Sequence, residues 1–479
     1  MSTAIIIAAE EWRYWFRTKL AFVAAVLSII LVCISVFSSL SLQTQEKNTR
    51  ESLQIQAEET FRSQPARHPH RMVHYGHYVF RTPTALAALD PGVDPYTGTV
   101  MFLEGHRQNS AAFSPSYDAA QAGPFSRLTP ALSYQILVPL VLIVIGFGML
   151  AREREAVTDR LLVTSGISPV SIWLGKSIAL LCVALLLLIP MLIGVVLSNS
   201  VTSLGIGFLA IYSLYLITWV LIISAVSTWS RSSSASLLVL LALWTVFCVL
   251  LPRLMASTAN STIPITSQIE SDMDALIAKR ALGDGHNAND PAFNQLKANL
   301  LNKYSVERVE DLPINFRGAV ASASESSLTA VLNEHAEKRM AKQVAQTDFI
   351  KSFQFTSPFL ILQSASMIAA GTDGKTHHRF LREAEAVRFE FIQGLNRAHQ
   401  EKLNYVDDIN RSNDEDSSRR ARVSAENWRV LHDFRFEADP AKKRLQNLSY
   451  SFLASLAWIL IFAIIGLVGA RRLPETDHG

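Results

Sequence analysis

"LAFVAAVLSIILVCISVFSSLSL" (residues 20–42) runs for 23 positions without an Asp, Glu, Lys or Arg. A helix needs about 20 apolar residues to cross a hydrocarbon core about 30 Å thick. The stretch follows Arg13, Arg17 and Lys19, as the core of a secretory leader would. Leader cores run only to about 7–15 residues and end at a small-residue cleavage site, and no A-x-A follows here. It is therefore an uncleaved first span. Five more stretches lack charge, at 130–150, 177–197, 205–229, 235–252 and 448–470, and all six are 18 to 25 residues long. The expected fold is an all-α polytopic membrane protein. It has six transmembrane helices and two extracytoplasmic insertions, a small mixed one and a large helical one.

Bulk composition agrees. Charged residues make up 18% of the chain, against about a quarter in soluble proteins, and the deficit sits in the spans. A net charge of +3 supplies no concentrated basic face, so no nucleic-acid partner is expected. Cys33, Cys182 and Cys248 all fall inside spans, which excludes a disulfide framework or a thiolate zinc site in the loops.

Lys and Arg near span ends set orientation. Arg13, Arg17, Lys19, Arg152, Arg154, Arg160, Lys176, Arg231, Arg471 and Arg472 fall on one side if both termini are cytoplasmic, while 198–204 on the other side has none. The chain then divides into a cytoplasmic interfacial helix (1–19), span one (20–42), a first insertion (43–129) and span two (130–150). A cytoplasmic segment (151–176), spans three to five (177–252), a second insertion (253–447), span six (448–470) and a tail (471–479) complete it.

In the second insertion, 293–304 and 326–353 carry apolar residues at spacings of three and four, the helical period. Residues 376–409 fit one long helix with Phe380, Ala384, Val387, Phe391 and Leu395 on one face. The uncharged "FTSPFLILQSASMIAAGT" (355–372) is not a seventh span: Pro358, Gln363 and its serines weaken it, and another crossing would put Arg471 and Arg472 on the wrong side. A buried core segment, or one lying on the membrane surface, is expected. The first insertion opens with a helix-like run (43–61) and turns rich in Pro, Gly and aromatics, predicting short strands and turns.

On the cytoplasmic side, Trp12, Trp15 and Phe16 fit the apolar face of a helix lying in the membrane interface. Between spans two and three, "ARERE" opens a short helical run that ends at a Gly-Ile-Ser-Pro turn and leads into span three. An interfacial helix, six spans and the run Glu153, Glu155, Thr158, Leu161, Leu162, Ser168, Pro169, Val170, Gly175 and Lys176 together resemble the permease subunit of ABC-2-type ABC transporters. The large second insertion departs from the compact members of that family and resembles a branch with bulky periplasmic domains. The resemblance implies a bacterial inner-membrane protein that exports an unidentified substrate. It implies a cytoplasmic ATPase dimer holding ATP and Mg²⁺, and a second permease subunit, identical or related. It also implies that Glu153, Glu155, Thr158, Leu161, Leu162, Ser168 and Pro169 couple to that ATPase. The chain itself is no ATPase and no enzyme: a phosphate loop ending at Gly175-Lys176-Ser177 requires glycine at position 170, where Val170 stands. No span carries an Asp, Glu, Lys or Arg, which disfavours ion coupling. Gly146, Gly148, Gly194, Gly205 and Gly207 suit close packing between two permease subunits. An alternative is that the chain relays ATP-driven motion to a periplasmic metalloprotein or envelope partner without moving cargo.

"RHPHRMVHYGHYVF" (67–80) places His68, His70, His74 and His77 together, and His106 follows beside Glu104. Neutral imidazole suits zinc or copper. His70, His74 and His77, spaced i, i+4, i+7, would share a helical face, but Pro69 and Gly76 bracket the run, "HYVF" favours a strand, and a helix is not expected there. Three readings stay open: a metal site, a docking surface in which Tyr75, Tyr78, Phe80 and Arg81 pack on the imidazoles, and a pH-responsive contact. The acid pairs Glu383/Glu385 and Asp407/Asp408 read as solvated helix faces.

Overall fold

The structure is a computed structural model and describes residues 2–112 and 128–472; parts of the first insertion (113–127) and of the tail (473–479) lie outside the described residues. Among the described residues, six helices are long and apolar enough to cross a membrane: Ala21–Arg62, Pro130–Glu155, Pro169–Leu197, Ser203–Trp229, Ser233–Thr262 and Ala441–Arg471. They match the six charge-free stretches but run beyond them. The first helix continues unbroken to Arg62, so its last turns rise past the bilayer as a stalk.

Helix Thr3–Thr18 lies against the start of span three, and Lys19, in the left-handed conformation, makes the corner into span one. The contact depends on Gly175, where an added Cβ would sit 2.6 Å from the Ala4 carbonyl oxygen. The aromatic face of this helix divides. Trp15 is buried against the spans, Trp12 is half-buried, and Phe16 is exposed beside Ile5 and Ile6. Only part of the expected apolar face is therefore free to meet lipid.

Prolines interrupt the hydrogen-bond ladder of two spans, and tyrosine hydroxyls bond backbone groups around them. Pro139 has no N–H for the Gln135 carbonyl four residues earlier, and the Tyr215 hydroxyl donates to that oxygen at 2.6 Å. Beside Pro190, the Tyr134 hydroxyl accepts from Met191 N–H (3.2 Å) and donates to the Leu187 carbonyl (2.5 Å). The glycines do not await a second subunit. Gly146 abuts Leu180 and Ile223, Gly148 abuts Ser233, Gly194 abuts Leu89, Gly205 abuts Ser200, and Gly207 abuts Leu445, all within the chain.

Residues 355–372 form helix Pro358–Ala370, about 20 Å long at 1.5 Å per residue and too short to span. It belongs to the same apolar core as the spans, so it is a buried segment rather than one on the membrane surface. Its beginning is sunk between spans five and six: the Ser357 hydroxyl donates to the Phe247 carbonyl and Trp458 Nε1 donates to the Phe355 carbonyl, both at 2.8 Å.

The two insertions build one body with its own core. Phe61, Met72, Val73, Val79, Met101 and Leu103 from the first pack against Phe380, Phe391, Ile392, Leu395 and Trp428 from the second. Two antiparallel strands, β1 (His77–Phe80) and β2 (Val100–Leu103), form a small sheet with His77 opposite Leu103. Helices Phe316–Ser352 and Gly374–Lys402 carry most of the remainder. The latter ends at Lys402, short of the expected 409, because Asn404 caps a new short helix at Tyr405.

Candidate functional sites

On the side of the bundle that carries helix Thr3–Thr18 and the end of span six, a buried ion-pair knot joins three elements. Glu11, 3% exposed on the interfacial helix, accepts both from Arg152 at 3.0 Å and from Lys176 Nζ at 2.8 Å. Lys176 also donates to Glu153 at 2.7 Å. Glu153 accepts from the Thr158 hydroxyl, and Glu155 caps span five through Ser233 N–H at 3.0 Å. Ser168 caps span three by accepting Ser171 N–H, with Pro169 opening that helix. The expected coupling residues therefore split by role. Glu153, Glu155, Ser168 and Pro169 hold the segment in place, Leu162 packs on the core, and span three begins at Pro169 rather than after Lys176. The large apolar residues this segment exposes are Val157 and Leu161, 56% and 65% exposed, just before and on helix Thr158–Thr164, with Arg160 exposed between them. Glu11 was missed. Its signal was readable: Ala8, Glu11 and Trp15 share one helical face, and an acid on a buried face needs a cation.

At the other end of the molecule the histidine run is helical. Pro69 opens helix Pro69–Tyr75, where a missing N–H costs nothing. The His68 ring accepts His70 N–H as the N-cap, and Gly76 ends the helix at φ 69°. His70 and His74 thus share a face, with Nε2 atoms 3.2 Å apart. His106 arrives from the turn after β2 and His286 from the loop 281–290. All four rings lie within 5.9 Å of one another, centroid to centroid. One ring nitrogen from each falls within 4.8 Å of the other three.

His106 is held in the left-handed region at φ 65°, a conformation that costs a non-glycine residue about 1–3 kcal/mol. Glu325 keeps it there: one carboxylate oxygen accepts both the His106 backbone N–H (3.1 Å) and Nδ1 (3.2 Å). Lys279 Nζ donates to the His106 carbonyl at 2.7 Å. Glu325 is fully buried and bonded to Arg388 at 2.5 Å, and Arg388 is also paired with Glu385. Burial alone would raise the Glu325 carboxyl, but the His106 hydrogen bond and the Arg388 guanidinium bring it down to about 2. Burial, reinforced by His106, His74 and His286, holds the His70 ring down at about 2. Its imidazole is neutral at physiological pH.

Residues 268–437 match the family model described as Domain of unknown function (DUF3526). No curated protein matches the chain. The matched region supplies His286, Glu325 and Arg388; His70, His74 and His106 come from outside it.

The other candidate histidines do not join this cluster. His77 starts β1 with its ring against Phe61 and near Gln54. His68 belongs to a separate buried group, where its Nε2 donates to Asp408 at 3.0 Å and His399 Nε2 donates to the same carboxylate at 2.8 Å. Arg411 and Asn315 complete that carboxylate's partners. His68, His399 and Asp408 offer ligand atoms close enough to share a metal ion, but the Arg411 guanidinium lies 2.6 Å from His68 Nε2 and also pairs with Asp408; its charge opposes a second cation there, and the group is read as a structural knot. Two acids expected at the surface are buried, Glu385 and Asp408, because each has cationic or imidazole partners. Of the residues expected to pack on the imidazoles, Arg81 instead pairs with Asp94 at 2.8 Å, and Tyr78 packs against Phe102 with the rings tilted by 45°.

Acid sensitivity follows from His77 and His377. Burial lowers them to about 4 and about 3 from 6.5. The unfolded chain therefore binds more protons than the folded one below pH 6.5. Stability is complete above that pH and falls on acidification, by about 1.4 kcal/mol per unit of displacement per group. Asp94, raised to about 6 by burial, works in the opposite sense below pH 6, and two imidazoles outweigh it. The melting temperature of the full chain in detergent is expected to drop between pH 6.5 and 4.5. A flat profile would show that these rings are not buried neutral.

Proposed function

We propose that the chain is the transmembrane subunit of an ATP-driven transporter of the ABC-2 type, in a bacterial inner membrane. Both termini face the cytoplasm, both insertions face the periplasm, and the direction is export. The observation that supports this best is the Glu11–Arg152–Glu153–Lys176 knot beneath an exposed apolar tip. A partner pressing on Val157 and Leu161 moves a segment that is ion-paired both to the interfacial helix and to the base of span three, so force enters the bundle directly. The partner is a cytoplasmic ATPase dimer that carries the ATP and Mg²⁺, and a second permease subunit completes the assembly. Affinity capture of the solubilised full chain, read by mass spectrometry, is expected to bring down a nucleotide-binding subunit in about equal amount. Leu161→Glu is expected to lose it. Capture without any such subunit in several mild detergents would overturn the proposal.

A second reading has its own support. Of the span hydroxyls Ser35, Ser38, Ser224 and Thr245, three donate to backbone carbonyls, Ser35, Ser224 and Thr245 at 2.7, 3.1 and 2.9 Å. The two insertions, by contrast, share one core. Such a chain relays motion to a periplasmic partner rather than passing cargo. An ATP-dependent change in hydrogen exchange of residues 316–402, with no cargo flux in vesicles, would favour this reading.

A further inference from the structure

Four imidazoles gathered from three separate chain segments are costly unless something binds them. His70 and His74 come from one helix, His106 from the turn after β2, and His286 from a loop roughly 180 residues later in the sequence. The donor set is all nitrogen, without thiolate, carboxylate or carbonyl among the four ring atoms. Hard cations such as Ca²⁺ and Mg²⁺ take oxygen ligands, whereas imidazole suits zinc, copper and nickel.

The geometry narrows the choice. Zinc–imidazole bonds of about 2.0–2.1 Å put tetrahedral donors about 3.3–3.4 Å apart, and His70 Nε2 and His74 Nε2 are already 3.2 Å apart. A square of donors has diagonals about 1.4 times its sides, the arrangement expected of Cu²⁺ or Ni²⁺. The two opposite ring pairs, His74–His286 and His70–His106, are 5.9 and 5.5 Å apart, and the other four pairs 4.7 to 5.2 Å; the opposite pairs are longer by only about 1.2-fold on average, closer to the equal edges of a tetrahedron than to the diagonals of a square.

Two rings are prepared from behind. Glu325 takes Nδ1 of His106, which leaves Nε2, a buried nitrogen with no hydrogen-bond partner on a residue only 9% exposed. Asp284 takes Nδ1 of His286 at 3.2 Å. A carboxylate behind a histidine fixes the tautomer and raises the basicity of the outward nitrogen, as behind metal-bound histidines generally. The nearby cations are engaged elsewhere, Lys279 with the His106 carbonyl and Arg107 with Glu104 at 3.3 Å.

We propose that His70, His74, His106 and His286 bind one zinc ion in a closed tetrahedral site that fastens the His286 loop to the first insertion. Four protein ligands leave no open position, so the site is structural rather than hydrolytic. It does not depend on the transport reading: the site joins the two insertions whatever the spans do.

The full chain in detergent, stripped by a chelator and dialysed, is titrated with Zn²⁺ against a competing indicator. One equivalent is expected, together with slower hydrogen exchange in residues 281–293. His74→Ala and His286→Ala are each expected to weaken zinc at least 100-fold, and Glu325→Gln about 10- to 100-fold. His432→Ala, an exposed ring elsewhere on the body, is expected to leave binding unchanged. His286 lies on an exposed loop, so an apo melting curve equal to that of apo wild type excludes misfolding as the cause of its loss. Less than one equivalent of zinc, or unaltered affinity in His74→Ala and His286→Ala, would overturn the site. Tighter, tetragonal Cu²⁺ binding to the same four residues would overturn the assignment to zinc.

Discussion

Arg388→Met is expected to destabilise the outer body by about 3–5 kcal/mol, the loss typical when one partner of a buried ion pair is removed. Arg388 is 1% exposed and is the cation shared by Glu325 and Glu385, which are buried with it. Methionine fills much of the same volume but leaves two carboxylates without a counter-charge in a core otherwise made of Phe380, Phe391 and Trp428. Glu325 would then take up a proton or shift, and His106 would lose the acceptor that holds its strained backbone. Zinc affinity should fall along with stability. Arg382→Met is the matched control: its pair with Glu337 is about half exposed on both sides, and such pairs contribute about 0–1 kcal/mol. Denaturant unfolding of the full chain distinguishes the two. An Arg388→Met protein as stable as wild type would mean that the buried triad contributes nothing.

Lys176→Met should separate binding of the ATPase from transmission. Lys176 is 3% exposed and bridges Glu11 to Glu153. Without it Glu153 keeps Thr158 and the more distant Arg152 at 3.7 Å, and Glu11 keeps Arg152. The loss of stability should therefore lie toward the low end, about 3 kcal/mol. The tip formed by Val157 and Leu161 is untouched, so the ATPase should still be captured. Hydrolysis should no longer alter hydrogen exchange in the outer body, because the segment that receives the force is no longer tied to span three. Loss of capture would place Lys176 in the docking surface itself; an unchanged ATP response would show that the knot transmits nothing.

The membrane half of the fold was legible because charge is the clearest signal a sequence carries: a stretch lacking it for some twenty residues has few alternatives. The helices of the second insertion were legible for the same kind of reason, through the spacing of Phe380, Ala384, Phe391 and Leu395. What failed was any inference that treated a residue type as carrying one meaning. Pro69 was read as a breaker, yet proline suits the first helical turn, and the helix it opens is what brings His70 and His74 together. Glu385 and Asp408 were read as solvated, yet each has partners that sequence distance hides. His286 was invisible. A lone histidine among Gly283, Asp284 and Gly285 has no spacing that points to His70, and only the folding of one insertion against the other brings them together.

In the proposed transporter the Leu161 tip and the histidine body lie on opposite sides of one membrane, joined through the spans. Single cysteines at Leu161→Cys and Lys338→Cys, in a chain whose Cys33, Cys182 and Cys248 have been replaced, can be tested with an impermeant maleimide on spheroplasts. Lys338, on helix Phe316–Ser352, is exposed. Labelling at 338 in intact spheroplasts, and at 161 only after permeabilisation, is the predicted result. Labelling of both positions from the same side would contradict the claim.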